Sequence, residues 1–145
     1  MATTAFIYGL MLNSTFNKEA DWDTDAPKCM LTTVTYVPNQ DTHQYKSSVT
    51  NEVVGTGYTA TGVALTSNVF TYTAGTNVFA FDAIDASWPG STFTTRIGVV
   101  YDSTPGTDAT RPLASYVDMG GDQTVSSATF AIQWASGGIF TITVS

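Results

Sequence analysis

Apolar and polar residues alternate with period two along much of this chain, the spacing of a strand that buries one face. Phe130, Ile132 and Trp134 fall on one side of such a strand, and Thr129, Ala131 and Gln133 on the other. Beyond Gly137-Gly138 the alternation resumes, with Phe140, Ile142 and Val144 set against Thr141 and Thr143. The pattern predicts strands over 124–135 and 139–145, paired as a hairpin through Ser136-Gly137-Gly138, with the last strand running to the final residue. Upstream, 28–37 reads as a strand stopped by Pro38-Asn39, and 49–56 as one stopped by Gly55 and Gly57. Segments 63–72 and 77–84 flank Ala74-Gly75-Thr76, a second hairpin signal. The β-branched run 92–101 stops at Asp102-Ser103-Thr104-Pro105-Gly106, and 111–119 ends at Gly120-Gly121. At the N-terminus, 3–12 reads as a strand in which Phe6, Ile7, Tyr8, Leu10, Met11 and Leu12 place apolar groups on both faces, so both faces need cover. Only 13–23 accommodates a helix, a short one with Asn13 or Ser14 as its N-cap. Eight or nine short strands punctuated by Gly, Pro, Asn and Asp predict an all-β fold. The expected architecture is one domain over 1–145, an antiparallel β-sandwich or small β-barrel.

Composition narrows the function classes. Apolar residues make up 43% of the chain and charged residues 12%, about half the usual charged share. That excludes disorder, which needs the opposite balance. Thr, Ser, Asn, Ala and Gly fill the surface positions that charges normally take, and uncharged surface is cheap to dehydrate against a neighbour. The net charge is −7, and the five cations Lys18, Lys28, Lys46, Arg96 and Arg111 are scattered. No basic cluster exists to neutralise phosphates, so neither nucleic acid nor an anionic membrane is an expected partner. The single cysteine, Cys29, lies in an apolar stretch and reads as a small buried residue. The apolar stretch 5–12 is too short to span a membrane and lacks the flanks of a signal peptide, so the chain reads as made in a cytoplasm.

Candidate chemistry is sparse. Asp21, Asp23 and Asp25 have the spacing that opens an EF-hand calcium loop, but Ala26 replaces its turn glycine and Thr32 stands where the bidentate glutamate belongs. A solvated acidic turn is the simpler reading, with weak incidental cation binding the alternative. His43 is the sole histidine, and the chain contains no nucleophile elbow of the G-x-S-x-G type. A role for His43 in loop hydrogen bonding is therefore favoured over catalysis. Gly55, Gly57 and Gly62 lack the Gly-Lys-Ser/Thr ending of a phosphate loop and read as a bulge or tight turn. Asn13-Ser14-Thr15 matches a glycosylation acceptor, without the secretory context that would give it meaning. The expectation is a non-enzymatic protein with no cofactor and no metal. Trp88-Pro89-Gly90 reads as a turn that could expose its aromatic ring to a partner.

Several stretches resemble a family of small virion proteins of tailed bacteriophages. They are Trp22, 28–36, Pro38, Gln40-Asp41-Thr42-His43, Tyr45, 49–53 and 55–59, together with Val99-Val100-Tyr101-Asp102-Ser103-Thr104-Pro105 and the closing 138–142. The resemblance covers nearly the whole chain and carries no catalytic signature. It implies a virion structural protein decorating and stabilising the capsid exterior, with the major capsid protein or another virion protein as partner. By analogy it also implies a homo-oligomer, a trimer. A tail or baseplate component and a carbohydrate-binding β-module are the alternatives. The expected contact residues are Phe6, Tyr8, Leu10 and Leu12 of the N-terminal strand, His43 and Tyr45 of the polar loop 38–48, and Trp88.

Overall fold

The computed structural model describes residues 2–3 and 5–145. The fold is all-β as expected, with 49% strand and 7% helix. Its elements are β1 (Ala2–Thr3), β2 (Phe6–Ile7), α1 (Leu10–Phe16), β3 (Pro27–Thr32), β4 (Val63–Ala64), β5 (Val69–Thr73), β6 (Val78–Asp82), β7 (Ala86–Asp102), β8 (Leu113–Trp134) and β9 (Phe140–Thr143). The larger sheet runs β1-β8-β7-β3-β4, with β2 also paired to β8; the smaller runs β5-β6-β9. All pairings are antiparallel except β1 with β8.

Around β3 and the Tyr101 end of β7 the larger sheet is covered on both faces, whereas the middle of β8 is largely exposed. On one side Cys29, Leu31, Trp88, Val100, Val117 and Ile132 pack against Phe81 and Phe140 of the smaller sheet and Met11 of α1, a sandwich-like core. On the other side Met30, Ile97, Val99, Tyr101 and Leu113 are roofed by Tyr8 and Tyr36. Double coverage explains why β3 and the end of β7 are apolar on consecutive residues instead of alternating. Cys29 is free and fully buried, as its apolar surroundings predicted, and burial pushes its thiol up to about 12.

The structure corrects six sequence expectations. The segment 3–12 is not one strand: β2 stops at Ile7 and α1 begins at Leu10. Gly9 donates its N–H to the Gln40 carbonyl at 2.9 Å and turns the chain there. Met11 and Ser14, three apart, then face inward while Leu12 and Phe16, four apart, face outward. The helix thus starts earlier than expected, and Asn13 and Ser14 are interior to it and not caps. Segment 49–56 forms no strand and contributes only single bridges, Glu52 to Thr32 and Thr56 to Thr92.

Trp88-Pro89-Gly90 lies inside β7 and is not a turn between elements. Trp88 pairs with Phe130 and Ser91 with Ala128, so Pro89 and Gly90 together oppose Thr129 alone. That bulge accommodates the proline and the positive φ of Gly90. Gly120-Gly121 is likewise a bulge: between the Thr95–Gln123 and Ile97–Asp118 pairs, Arg96 opposes four residues of β8. Finally, 124–135 and 139–145 are joined by the expected turn, closed by Gly138 N–H to the Ala135 carbonyl at 2.8 Å, but they do not form a hairpin. β9 pairs with β6 in the other sheet, setting Phe140 beside Phe81 and Ile142 beside Phe79. The 74–76 hairpin forms as expected, between β5 and β6.

Gly62 tests this packing. Its φ is +81°, and a Cβ there would collide with the Cys29 carbonyl in the buried centre of β3. Gly62→Ala is expected to cost about 2–4 kcal/mol in urea-denaturation stability, because backbone strain and a buried backbone clash add. Gly75→Ala, whose Cβ meets nothing, serves as the neutral comparison.

Candidate docking surface

An apolar groove of about 780 Å³ lies between α1 and the smaller sheet. Strand alternation puts Phe70 and Tyr72 of β5, Phe79 and Phe81 of β6, and Phe140 and Ile142 of β9 on one face of that sheet. The face is longer than the core it covers. Phe81 and Phe140 are buried, Phe70 and Ile142 are half-buried, and Tyr72 and Phe79 are exposed. Phe70 stacks on Phe81 at 4.8 Å between ring centres, so the floor is pre-formed. The opposite wall is the outer side of α1: Leu12, 39% exposed, and Phe16, 81% exposed. Trp22 closes the base and is fixed by its indole N–H donating to Thr15 Oγ1 at 2.9 Å. Thr15 Oγ1 in turn donates to the Met11 carbonyl at 2.8 Å. Lys18, Asp21 and Asp23 form a polar rim. An open apolar trough with a charged margin has the anatomy of a protein-contact surface.

The expected contact residues separate into surface and interior groups. Phe6 is 55% exposed and lies against the Tyr116 ring at 5.5 Å; Leu12 lines the groove. Leu10 is half-buried. Tyr8 and Trp88 are 0% and 1% exposed, so neither presents its side chain at the surface. Tyr8 donates or accepts a 2.8 Å hydrogen bond with Tyr36 hidden between the loop and the larger sheet, and burial raises its phenol strongly. Trp88 packs between Tyr58 and Phe130.

The loop 38–48 is strapped to the body and does not stand free. His43 stacks on Tyr36 and meets its hydroxyl at 3.0 Å through Nδ1; partial burial lowers the imidazole pKa. Tyr45 donates to Glu19 Oε2 at 2.9 Å. Lys46 is buried, with its ammonium 2.8 Å from Asp108, which also pairs with Arg111. Phe16 and Phe79 are surface residues that the sequence reading did not name as contacts, and Val144, placed by alternation on the apolar side, is exposed. The available signal was the four-residue spacing of Leu12 and Phe16, visible only once 10–16 is read as a helix.

The acidic run 21–25 is a self-bonded turn. Asp21 Oδ1 accepts from the Asp23 N–H, and Asp25 Oδ2 accepts from the Asp21 N–H at 2.7 Å. Among the described residues no group of three His, Cys, Asp or Glu side chains is placed to hold a metal ion. His43 bonds to Tyr36 and the Asn39 backbone rather than to any serine or acid. One carboxyl stands out. Asp102, at the end of β7, is fully buried; its Oδ1 accepts from the Thr104 N–H at 2.8 Å, its other oxygen has no hydrogen-bond partner among the described residues, and the Asp25 carboxyl lies nearby. Burial, with a smaller contribution from Asp25, pushes Asp102 up to about 6.

Comparison with protein-family models, with curated proteins and with solved structures finds no match to this chain.

The buried carboxyl sets a pH dependence. Between about pH 4 and 6 the folded chain holds a proton on Asp102 that the unfolded chain has lost, so stability falls as pH rises through this window. The pairs Asp108–Lys46 and Asp118–Arg96 hold their carboxyls below the ordinary value of 3.8, so their contribution is lost only as pH falls beneath it. Thermal denaturation is expected to show greatest stability near pH 4–5. Asp102→Asn is expected to flatten the limb between pH 4 and 6 and to raise stability at pH 7 by on the order of 1–3 kcal/mol.

Proposed function

We propose that this chain is a non-enzymatic virion structural protein of a tailed phage. It docks on a neighbouring virion protein, the major capsid protein in the first instance, and stabilises the particle from outside. The observation that carries the reading is the groove between α1 and the smaller sheet, an apolar trough that stays open among the described residues. Such a trough suits an apolar segment of another protein and, with its floor pre-formed, costs little ordering on binding. The net charge of −7 suits an outer position, because a DNA-lined interior would set like charges face to face. The resemblance noted from the sequence supplies the virion context.

A sugar-binding module is less well supported. All three tryptophans, Trp22, Trp88 and Trp134, are buried, so the large rings best suited to stacking on sugars lie inside the domain.

Particles assembled without this protein and then supplemented with it provide the test. Wild-type protein is expected to rebind and to restore resistance to heat and osmotic shock. The double variant Leu12→Gln/Phe16→Gln is expected to bind at least about ten-fold more weakly. Its melting should stay near wild type, since both positions are substantially exposed. Equal binding by the variant removes the groove from the contact. Particles that resist heat and osmotic shock equally well without the protein remove the stabilising role.

A further inference from the structure

We infer that β5 is a self-association edge, across which two copies of this chain pair about a two-fold axis. The inference stands on the sheet itself and does not depend on the virion reading.

The larger sheet ends at strands of two residues, β1 and β2 on one side and β4 on the other, a common way of blunting an edge. The smaller sheet is different. β5 is an outer strand of five residues, and among the described residues no segment pairs with its free side. It carries no Lys, Pro or other protective feature; its sequence is Val69-Phe70-Thr71-Tyr72-Thr73. No charged residue occurs between Glu52 and Asp82. On a body of net charge −7, this hairpin is where two copies can approach with the least mutual repulsion. The other outer strand, β9, is less open: at its start the Ile139 carbonyl accepts from the Ala5 N–H at 2.8 Å.

The strand is also self-complementary. In the antiparallel register centred on Thr71, all five residues find partners. Thr71 faces Thr71 of the second copy, Phe70 faces Tyr72, and Val69 faces Thr73. Each is a favourable cross-strand pair, and a two-fold axis supplies the outer ones twice. Phe70 and Tyr72 already share the aromatic face with Phe79 and Phe81, so pairing would join two three-stranded sheets into one six-stranded sheet with a continuous aromatic face. The symmetry is two-fold, in place of the three-fold arrangement expected by analogy.

Sedimentation of the purified protein between about 1 and 100 μM tests the inference, a range that spans ordinary homodimer affinities. A monomer–dimer equilibrium is expected. Thr71→Lys should give monomer throughout with an unchanged circular dichroism spectrum, since Thr71 is exposed and the substitution sets two ammonium groups opposite each other. Thr71→Cys treated with diamide should yield a disulfide-linked dimer, because directly opposed residues on antiparallel strands lie within disulfide reach. Thr141→Cys, exposed on β9, should not, and buried Cys29 adds no background. A wild-type monomer across the range, a trimer, an oligomer unaffected by Thr71→Lys, or equal crosslinking from Thr141→Cys would each overturn it.

Discussion

β7 and β8 run antiparallel from Ala86 opposite Ile132 to Tyr101 opposite Leu113, and the rest of the chain is placed by the faces and edges of that ribbon. Four register shifts bend it along its length. Its Tyr101 end accepts β3 on the β7 side and β2 on the β8 side, while the opposite end carries Trp88 and Ile132 into the sandwich-like core. With apolar residues on both faces of its Tyr101 half, that half can be stable only if two separate layers cover it. The smaller sheet with α1 supplies one layer, and the Tyr8–Tyr36 roof supplies the other.

The second layer explains why so long a loop holds a defined shape. Residues 33–61 contain almost no regular pairing, so their polar groups are satisfied by scattered backbone hydrogen bonds, such as Lys46 N–H to the Arg111 carbonyl and Val53 N–H to the Leu31 carbonyl, and by side chains. Tyr36 joins Tyr8 and His43, Tyr58 donates to Glu52 and accepts from the Leu31 N–H, and Lys46 is neutralised by Asp108. Each contact is modest, but leaving any of these groups buried and unpaired would be costly. The residues read as contact candidates in this loop, His43 and Tyr45, are therefore spent largely on holding it down. Outside the loop, at the end of β7, Asp102 keeps one buried oxygen unpaired among the described residues, and burial shifts its titration toward neutrality.

The first layer has the opposite property. It covers the larger sheet with only part of its aromatic face, and the remainder opens into the groove beside α1. The uncharged edge of β5 borders the same small sheet. The exposed aromatic residues of the smaller sheet and the outer side of α1 thus form one trough, away from the loop where polar composition had pointed.

The sequence by itself determined the strand content, the positions of most turns, the burial of Cys29 and, in the strands of the smaller sheet, the split into an inward and an outward side, because these follow from residue-by-residue alternation and turn chemistry. It also determined the scarcity of charge that makes association surfaces cheap to dehydrate. Only the tertiary structure decided which strands pair. The turn at 136–138 is legible locally, yet β9 leaves β8 for β6, since pairing is settled by Phe79 and Phe81 far back in the chain. Likewise Pro89 and Gly120-Gly121 carry turn chemistry that a long paired ribbon absorbs as bulges. Exposure was illegible for the same reason: Tyr8 and Phe16 are both apolar aromatics near the N-terminus, and whether another layer reaches them is a fact about distant residues.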